Sequence, residues 1–290
     1  MAPTPTLLPA ALAVHRSGRD GDERAVCLHS STGSHGQWRA LQALLAPGLE
    51  PSWQLCAPDL HGHGDSPAWP AARDASLHVD AEAVEQACGL HAGQPAHLVG
   101  HSYGAAVALQ IALRHPERVR SLTLYEPVAF GLLQAGAPGA DAALDEISAV
   151  ADAVAALVRA GALQDAARVF VGYWGGAAAW PAMAPAQQAQ VMARMATVPR
   201  HFEALFAARW DATLLRRLRM PVLLMRGQHT RLAARRVSEL LAAALPHARC
   251  VELGGAGHLG PLTHRDGVAR WMLAHLDPRR FELAFSAQPT

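Results

Sequence analysis

The stretch that most constrains the fold is His97-Leu98-Val99-Gly100-His101-Ser102-Tyr103-Gly104-Ala105-Ala106-Val107-Ala108-Leu109. It reads as a short apolar strand, a serine bracketed by glycines, and then a helix. The bracket, Gly100 to Gly104, has the form Gly-x-Ser-x-Gly. A serine on so sharp a strand-to-helix turn is forced toward a strained backbone, and crowding from residues two positions away favours neighbours without a Cβ. Ala105 and Ala106 carry the small-residue rule into the first helical turn. Such a turn exposes the Ser102 hydroxyl. It also aims the Tyr103 amide and the helix N-terminus at one point, where they can stabilise an oxyanion. The bare pattern arises by chance in glycine-rich chains; its place between a strand and a helix gives it weight.

The rest of the chain repeats that rhythm. Residues 8–16 read as a first strand, and Ala25 to His29 as a short apolar strand fit for burial on both faces. Gln37 to Leu45 carries Trp38, Leu41, Leu44 and Leu45 at helical spacing. Trp53 to Asp59 is the next strand, and residues 77–90 a helix whose first turn carries Asp80 and Glu82. Val119 to Glu126 is a strand closed by Pro127. Strands alternating with helices over short connections predict a mostly parallel central sheet flanked by helices. Residues 128–211 break the alternation. They show helical spacing over Asp141 to Ala160, Leu163 to Trp174, 182–196 and Phe202 to Trp210, punctuated by Gly175-Gly176 and Trp180-Pro181. They are expected to form an all-helical insertion. Alternation resumes with the strand Pro221 to Arg226, a helix over 233–245, the strand Ala248 to Leu253 and a last helix near 265–275. The tail beyond Pro278 shows no pattern.

Composition closes off several functions. All 25 basic residues are arginine, which removes Schiff-base lysines, a phosphate-loop lysine and a Ser-Lys pair. A formal net charge of +1 without charged blocks argues against nucleic acid and against electrostatic membrane binding. The four cysteines form no Cys-x-x-Cys pair, and three sit in apolar or periodic stretches, as small core residues do. The absence of a secretory pattern and of a long apolar run makes a cytoplasmic protein the expectation.

Four motifs now resemble one family. Leu28-His29-Ser30-Ser31 resembles a His-Gly-x oxyanion turn, and Pro58-Asp59-Leu60-His61-Gly62-His63-Gly64-Asp65-Ser66 a Pro-Asp-x-x-Gly-x-Gly-x-Ser loop. Gly100 to Gly104 is a nucleophile elbow, and Gly255-Ala256-Gly257-His258 resembles a turn that delivers a catalytic histidine. In order and coarse spacing these are similar to the α/β-hydrolase superfamily, in its capped, lipase- and esterase-like branch. The resemblance implies a core of residues 1–127 and 212–290 with a helical cap over 128–211. It implies Ser102 as nucleophile and His258 as its base, with His264 as the fallback. It places the second oxyanion donor at the Ser31 amide, partnering Tyr103, although Ser30 stands where the family usually has glycine.

The acid departs from the pattern. The family usually carries aspartate in a Gly-x-x-Asp sequence after the strand matched here by Val222 to Arg226, but this chain reads Gly227-Gln228-His229-Thr230. Threonine cannot hold a charge against an imidazolium. Some members take the acid from the strand after the elbow helix, which here is Glu126. The expected triad is Ser102, His258 and Glu126. A Ser-His dyad with a backbone or water partner, and a non-catalytic descendant, remain as alternatives.

His61-Gly62-His63-Gly64-Asp65 also fits His-x-His-x-Asp, a spacing of dinuclear zinc hydrolases. Ser66 stands where a further histidine would be expected, so a metal is not the expected reading. Ser30, His101, Trp174 and Trp180 are the residues expected at the substrate pocket, with Met183, Met192, Met195 and Phe202 as further pocket or lid candidates. The implied function is hydrolysis of a small to medium carboxylic ester or related acyl compound through an acyl-enzyme, with no cofactor. Thioesterase, lactonase, perhydrolase and carbon–carbon bond hydrolase chemistry share the same site requirements. Aspartate-nucleophile chemistries do not.

Overall fold

The computed structural model describes residues 11–285 apart from 20, 22, 46–51, 92 and 137. Seven strands form one sheet in the order β1-β3-β2-β4-β5-β6-β7. They are β1 (Val14–Gly18), β2 (Glu23–Leu28), β3 (Trp53–Pro58), β4 (Ala96–His101), β5 (Val119–Tyr125), β6 (Val222–Gly227) and β7 (Arg249–Leu253). β1 runs antiparallel to β3 at the edge, and every other pairing is parallel. The first strand begins later and ends later than its composition predicts, and residues 8–10 of that expectation lie outside the described residues.

The strand period of two divides the sheet's side chains between two cores. Val26, Leu28, Leu98, Leu122 and Leu224 pack on one face, beneath α2 (Leu77–Ala87) and α3 (Tyr103–Arg114). Ala25, Cys27, Val99, Leu223 and Met225 pack on the other. That second face is covered by α1 (Arg39–Leu44) and by a C-terminal helix described below. Burial on both faces is why the central strands read as unbroken apolar runs rather than as alternating ones.

Between β5 and β6 lie the helices α4 (Ala140–Arg159), α5 (Leu163–Gly175), α6 (Ala179–Ala182), α7 (Pro185–Arg194) and α8 (Val198–Ala207). Trp180-Pro181, expected to interrupt helix, instead sits inside the short α6, in a first turn where proline's missing N–H has no intrahelical partner to lose. α8 starts four residues earlier than its spacing predicts, with Pro199 in the first turn. Trp210 closes the insertion by donating its indole N–H to Gln110 of α3 at 3.1 Å. The chain then runs through α9 (Ala212–Leu215) into β6, α10 (Leu232–Ala244), β7, α11 (Gly260–Thr263) and α12 (Arg265–Leu276), the helix over the second face. The tail does have structure: Pro278 opens α13 (Pro278–Phe285). No helix among the described residues is long and apolar enough to cross a membrane.

The two glycines around Ser102 are required for a reason other than crowding by the serine itself. A Cβ on Gly100 would strike the Ala105 backbone in the first turn of α3, and one on Gly104 would run into the Leu28 and His29 carbonyl oxygens at the end of β2. The glycines bring the elbow helix and the neighbouring strand end into direct contact, so the turn after β2 lies beside Ser102.

Candidate active site

Ser102 leaves β4 with φ 55° and ψ −120°, a conformation essentially closed to side chains other than at such turns. Its amide is held by the Tyr125 carbonyl at 3.0 Å. Glu126, one residue past β5, also has positive φ, 41°. Among the described residues just three non-glycine positions do so, Thr32, Ser102 and Glu126, and all three lie at this end of the sheet. Strain of about 1–3 kcal/mol at each is sustained by the surrounding structure, and its clustering makes this end of the sheet the candidate site.

His258 arrives on the loop after β7. Its Nε2 lies 2.9 Å from Ser102 Oγ and its Nδ1 2.7 Å from Glu126 Oε2. The other Glu126 oxygen accepts from the Gly227 amide at 2.8 Å. Glu126 is fully buried and His258 nearly so. The carboxylate therefore receives one backbone and one imidazole N–H, which orients the ring with Nδ1 protonated and Nε2 free to accept from the serine hydroxyl. Thr230, at the position where the family usually has aspartate, is buried with its hydroxyl unpaired and plays no part in this chain of contacts. His264, the fallback base, is exposed and bonded to Thr263.

The Tyr103 amide opens α3 and has no carbonyl a turn earlier to bond. The Ser31 amide has no partner among the described residues. Ser31 Oγ instead pairs with His201 Nδ1 at 2.8 Å. Ser30 is tied by its amide and hydroxyl to Gln37 Oε1, at 3.3 and 3.1 Å, so its side chain braces the turn from behind.

A narrow cavity meets Ser102. It is lined by Ser31, Trp174, His201 and a wall of Val128, Phe130, Phe170, Val198, Phe202 and Leu205. The space open to a water centre is about 10 Å³, close to what one water needs. Of the four residues expected at the pocket, Trp174 lines it, and its ring stacks on His258 at 3.7 Å. Ser30 and His101 do not. His101 is buried beneath the loop of His258 and donates Nε2–H to the His258 carbonyl at 2.8 Å, making it a brace for the histidine. Trp180 is buried away from the lining, its backbone carbonyl taken by Gln188. Phe202 lines the cavity, whereas Met195 is buried in the core and Met183 and Met192 pack at its edge.

Behind the Ser31 turn lie the buried histidines His29, His61 and His63, named above as motif residues, in bracing roles that the motifs do not announce. His29 Nδ1–H donates to the Ser30 carbonyl and its Nε2 accepts from the Leu60 amide. His63 Nε2 accepts from the Thr32 amide at 3.0 Å, and its Nδ1–H donates to the His61 carbonyl. His61 faces Asp80 at 2.7 Å, and the Tyr103 hydroxyl donates to the other Asp80 oxygen at 2.8 Å. Asp80, read from the sequence as an acid in the first turn of its helix, is in that turn but fully buried, and it anchors the elbow tyrosine. The His61 and His63 rings are thus bound to separate partners, and Asp65 is exposed, so the His-x-His-x-Asp triplet does not converge on one point.

Burial pushes His29 down to about 4 and His63 down to about 3 from the ordinary 6.5, and drives His101 and His201 in the same direction. The unfolded chain takes up protons at these rings near pH 6.5, while the folded chain refuses them until lower pH. Their contribution to stability is complete above pH 6.5 and is lost as pH falls toward 4. The urea midpoint is expected to drop already between pH 7 and pH 5, above the range in which carboxylates titrate; a midpoint flat over that interval contradicts the neutral-histidine assignment.

The alpha/beta hydrolase fold family matches residues 26–265. The chain is 36% identical over 118 residues to lipase LipV of Mycobacterium tuberculosis, covering 40% of this chain and 41% of that one. It is 41% identical over 80 residues to pimeloyl-[acyl-carrier protein] methyl ester esterase of Neisseria meningitidis serogroup C, covering 28% of each. The matched segments thus span less than half of these relatives. In structure it resembles a hydrolase from Pseudomonas aeruginosa PA01, with a TM-score of 0.74, 24% identity, and coverage of 92% of this chain and 94% of that one. A family match over most of the chain, joined to the sheet order and the elbow, makes this protein a member of the α/β-hydrolase fold family.

Proposed function

We propose that the protein is a serine hydrolase that cleaves small to medium carboxylic esters with an apolar acyl group. The observation that carries the reading is the contact chain Ser102–His258–Glu126, at 2.9 and 2.7 Å, beside two unpaired backbone amides. Ser102 Oγ attacks the acyl carbonyl carbon as its proton passes to His258 Nε2. Glu126 stabilises the imidazolium through Nδ1–H without taking the proton. The Tyr103 and Ser31 amides hold the oxyanion of the tetrahedral intermediate. His258 returns its proton to the departing alkoxide, leaving the acyl group on Ser102. Water then attacks the acyl-enzyme with His258 again as base, and the carboxylic acid leaves. Every step is carried by groups of this chain.

The cavity wall supports the substrate class. Apart from Ser31, Ser102 and His201 it is built of apolar side chains, which favour a hydrocarbon acyl chain over a charged one. The insertion over residues 128–211 serves as the cap: it supplies Phe170, Trp174, Val198, Phe202 and Leu205 to that wall. With room for about one water, the cavity must widen by displacement of these cap side chains before an acyl chain enters.

The test is labelling by a fluorophosphonate, with the modified peptide located by mass, followed by a panel of chromogenic esters of increasing acyl length alongside a thioester and a lactone. The expected result is one label on Ser102 and hydrolysis of esters with short to medium unbranched acyl chains, falling for charged ones. Absence of label on Ser102 would sink the reading. Preference for the thioester or lactone would keep the site and move the substrate class.

A further inference from the structure

A second cluster of chemistry-bearing groups lies at the sheet edge, on residues the reaction does not use. His15 of β1 directs Nε2 to Asp59 Oδ2 at 3.1 Å. His35, at the start of a 3-10 turn before α1, directs Nδ1 to the same oxygen, also at 3.1 Å. The two rings stack with centroids 3.3 Å apart and 19° between planes. The ligand-capable atoms of His15, His35 and Asp59 all lie within 4.8 Å of one another. Asp65 adds a carboxylate at the rim, its Oδ2 3.8 Å from His15 Nε2 but outside that mutually close set.

Three features separate this cluster from an ordinary surface ion pair. Asp59 is fully buried and fixed by the His35 amide at 2.8 Å and the Asp65 amide at 3.3 Å. Gly64 opposite it has φ 50°, and a Cβ there would occupy the carboxylate's place. The carboxylate is therefore a preorganised ligand. Next, two closely stacked imidazoles aim at one oxygen. Protonated, they would repel each other; neutral, each must carry its proton on the nitrogen facing that oxygen. One divalent cation between them satisfies both lone pairs and the carboxylate together. Last, the separations suit a metal. Zinc binds histidine nitrogen and carboxylate oxygen at about 2.0–2.2 Å in tetrahedral sites, so neighbouring ligand atoms stand about 3.3 Å apart. The side chains of His15 and His35 are about one-third exposed, 37% and 34%, so an ion has access from solvent.

We propose that His15, His35 and Asp59, with the Asp65 carboxylate at the rim beside His15, form a structural site for a divalent first-row transition cation, with Zn²⁺ as the fitting probe. The ion ties three segments that the chain brings together only on folding: β1, the turn that follows the Ser31 loop, and the loop after β3. His29 stands near Asp59 but is not a ligand, because its facing Nε2 accepts from the Leu60 amide. The site acts on stability and takes no part in acyl chemistry, so it stands independently of the function proposed above.

The test uses the full chain without a polyhistidine tag, stripped with chelator, and titrated with Zn²⁺ by calorimetry and with Co²⁺ by its visible d–d absorption. Expected are one saturable equivalent, a tetrahedral Co²⁺ spectrum, and a melting temperature raised by Zn²⁺. His15→Gln and His35→Gln should each weaken binding by about tenfold or more and abolish the thermal shift. Asp65→Asn, at an exposed side chain that leaves the fold intact, should weaken it too, while His247→Gln at a remote exposed histidine should not. No saturable uptake by the wild type, or uptake undiminished in Asp65→Asn and the two histidine variants, overturns the proposal. Ester hydrolysis by the stripped protein reports on the Ser102 site alone, so failure of one reading is distinguishable from failure of the other.

Discussion

Ser102→Ala is expected to lower kcat for ester hydrolysis by about 10⁴–10⁶-fold and to abolish fluorophosphonate labelling, with the fold intact. Alanine accepts the same backbone strain as serine and leaves the Ser102 amide bond to Tyr125 untouched, so secondary structure and melting temperature should stay close to wild type. What is lost is the one oxygen 2.9 Å from His258 Nε2. Residual turnover would come from the Ser31 and Tyr103 amides and from binding alone, acting on water. Paired measurement of kcat and circular dichroism checks this, and a folded variant that keeps a sizeable share of turnover removes Ser102 from the role of nucleophile.

The second large effect is expected at Glu126. Glu126→Gln should cut kcat by about 10⁴-fold with little change in KM. The reason lies in the two bonds the side chain makes. The Gly227 amide needs an acceptor and would claim the glutamine carbonyl oxygen. The amide NH₂ is then turned toward His258 Nδ1, where wild type has an acceptor at 2.7 Å. A donor at that place drives the imidazole proton to Nε2, and the ring can no longer accept from Ser102. Glu126→Asp keeps the charge but is one methylene shorter, and should fall between the two. Steady-state rates across pH separate these cases, because the glutamine variant stays slow at every pH. A glutamine variant with near wild-type turnover would show that the imidazole needs no carboxylate.

Local pattern carried most of the fold. Apolar runs of strand length, separated by helical spacing, announce a parallel sheet because burial on both faces leaves no polar alternation. The elbow is legible for the same reason: Gly100 and Gly104 are contacts between adjacent elements, written as a short motif. Glu126 was reachable by asking which strand end offers a carboxylate once Thr230 does not, and the structure sets it against His258. Other features were illegible because they depend on partners far along the chain. Asp80 looked like a helix-start acid, since nothing local says that Tyr103 and His61 will close over it. His201 had no signal among 16 histidines; it meets Ser31 only because the insertion folds back across 170 residues of sequence. The cavity wall was under-read for a similar reason. Spacing says which residues of α5, α6 and α8 face inward, but not whether they meet one another or open space, so Phe170, Val198 and Leu205 were missed while Trp180 was over-assigned.

The left-handed backbone at Thr32, Ser102 and Glu126 has an evolutionary corollary. Together the three positions hold several kcal/mol of strain, a substantial fraction of the about 5–15 kcal/mol by which a domain of this kind is stable. Glycine would relieve that strain at each of them. A population of variants selected for heat resistance alone would therefore drift toward glycine at 102 and 126, and so toward proteins that outlast the parent but turn over nothing. Stability and turnover pull in opposite directions here at the level of single dihedral angles, and any programme to harden this protein has to hold those three side chains in place while gaining its robustness elsewhere.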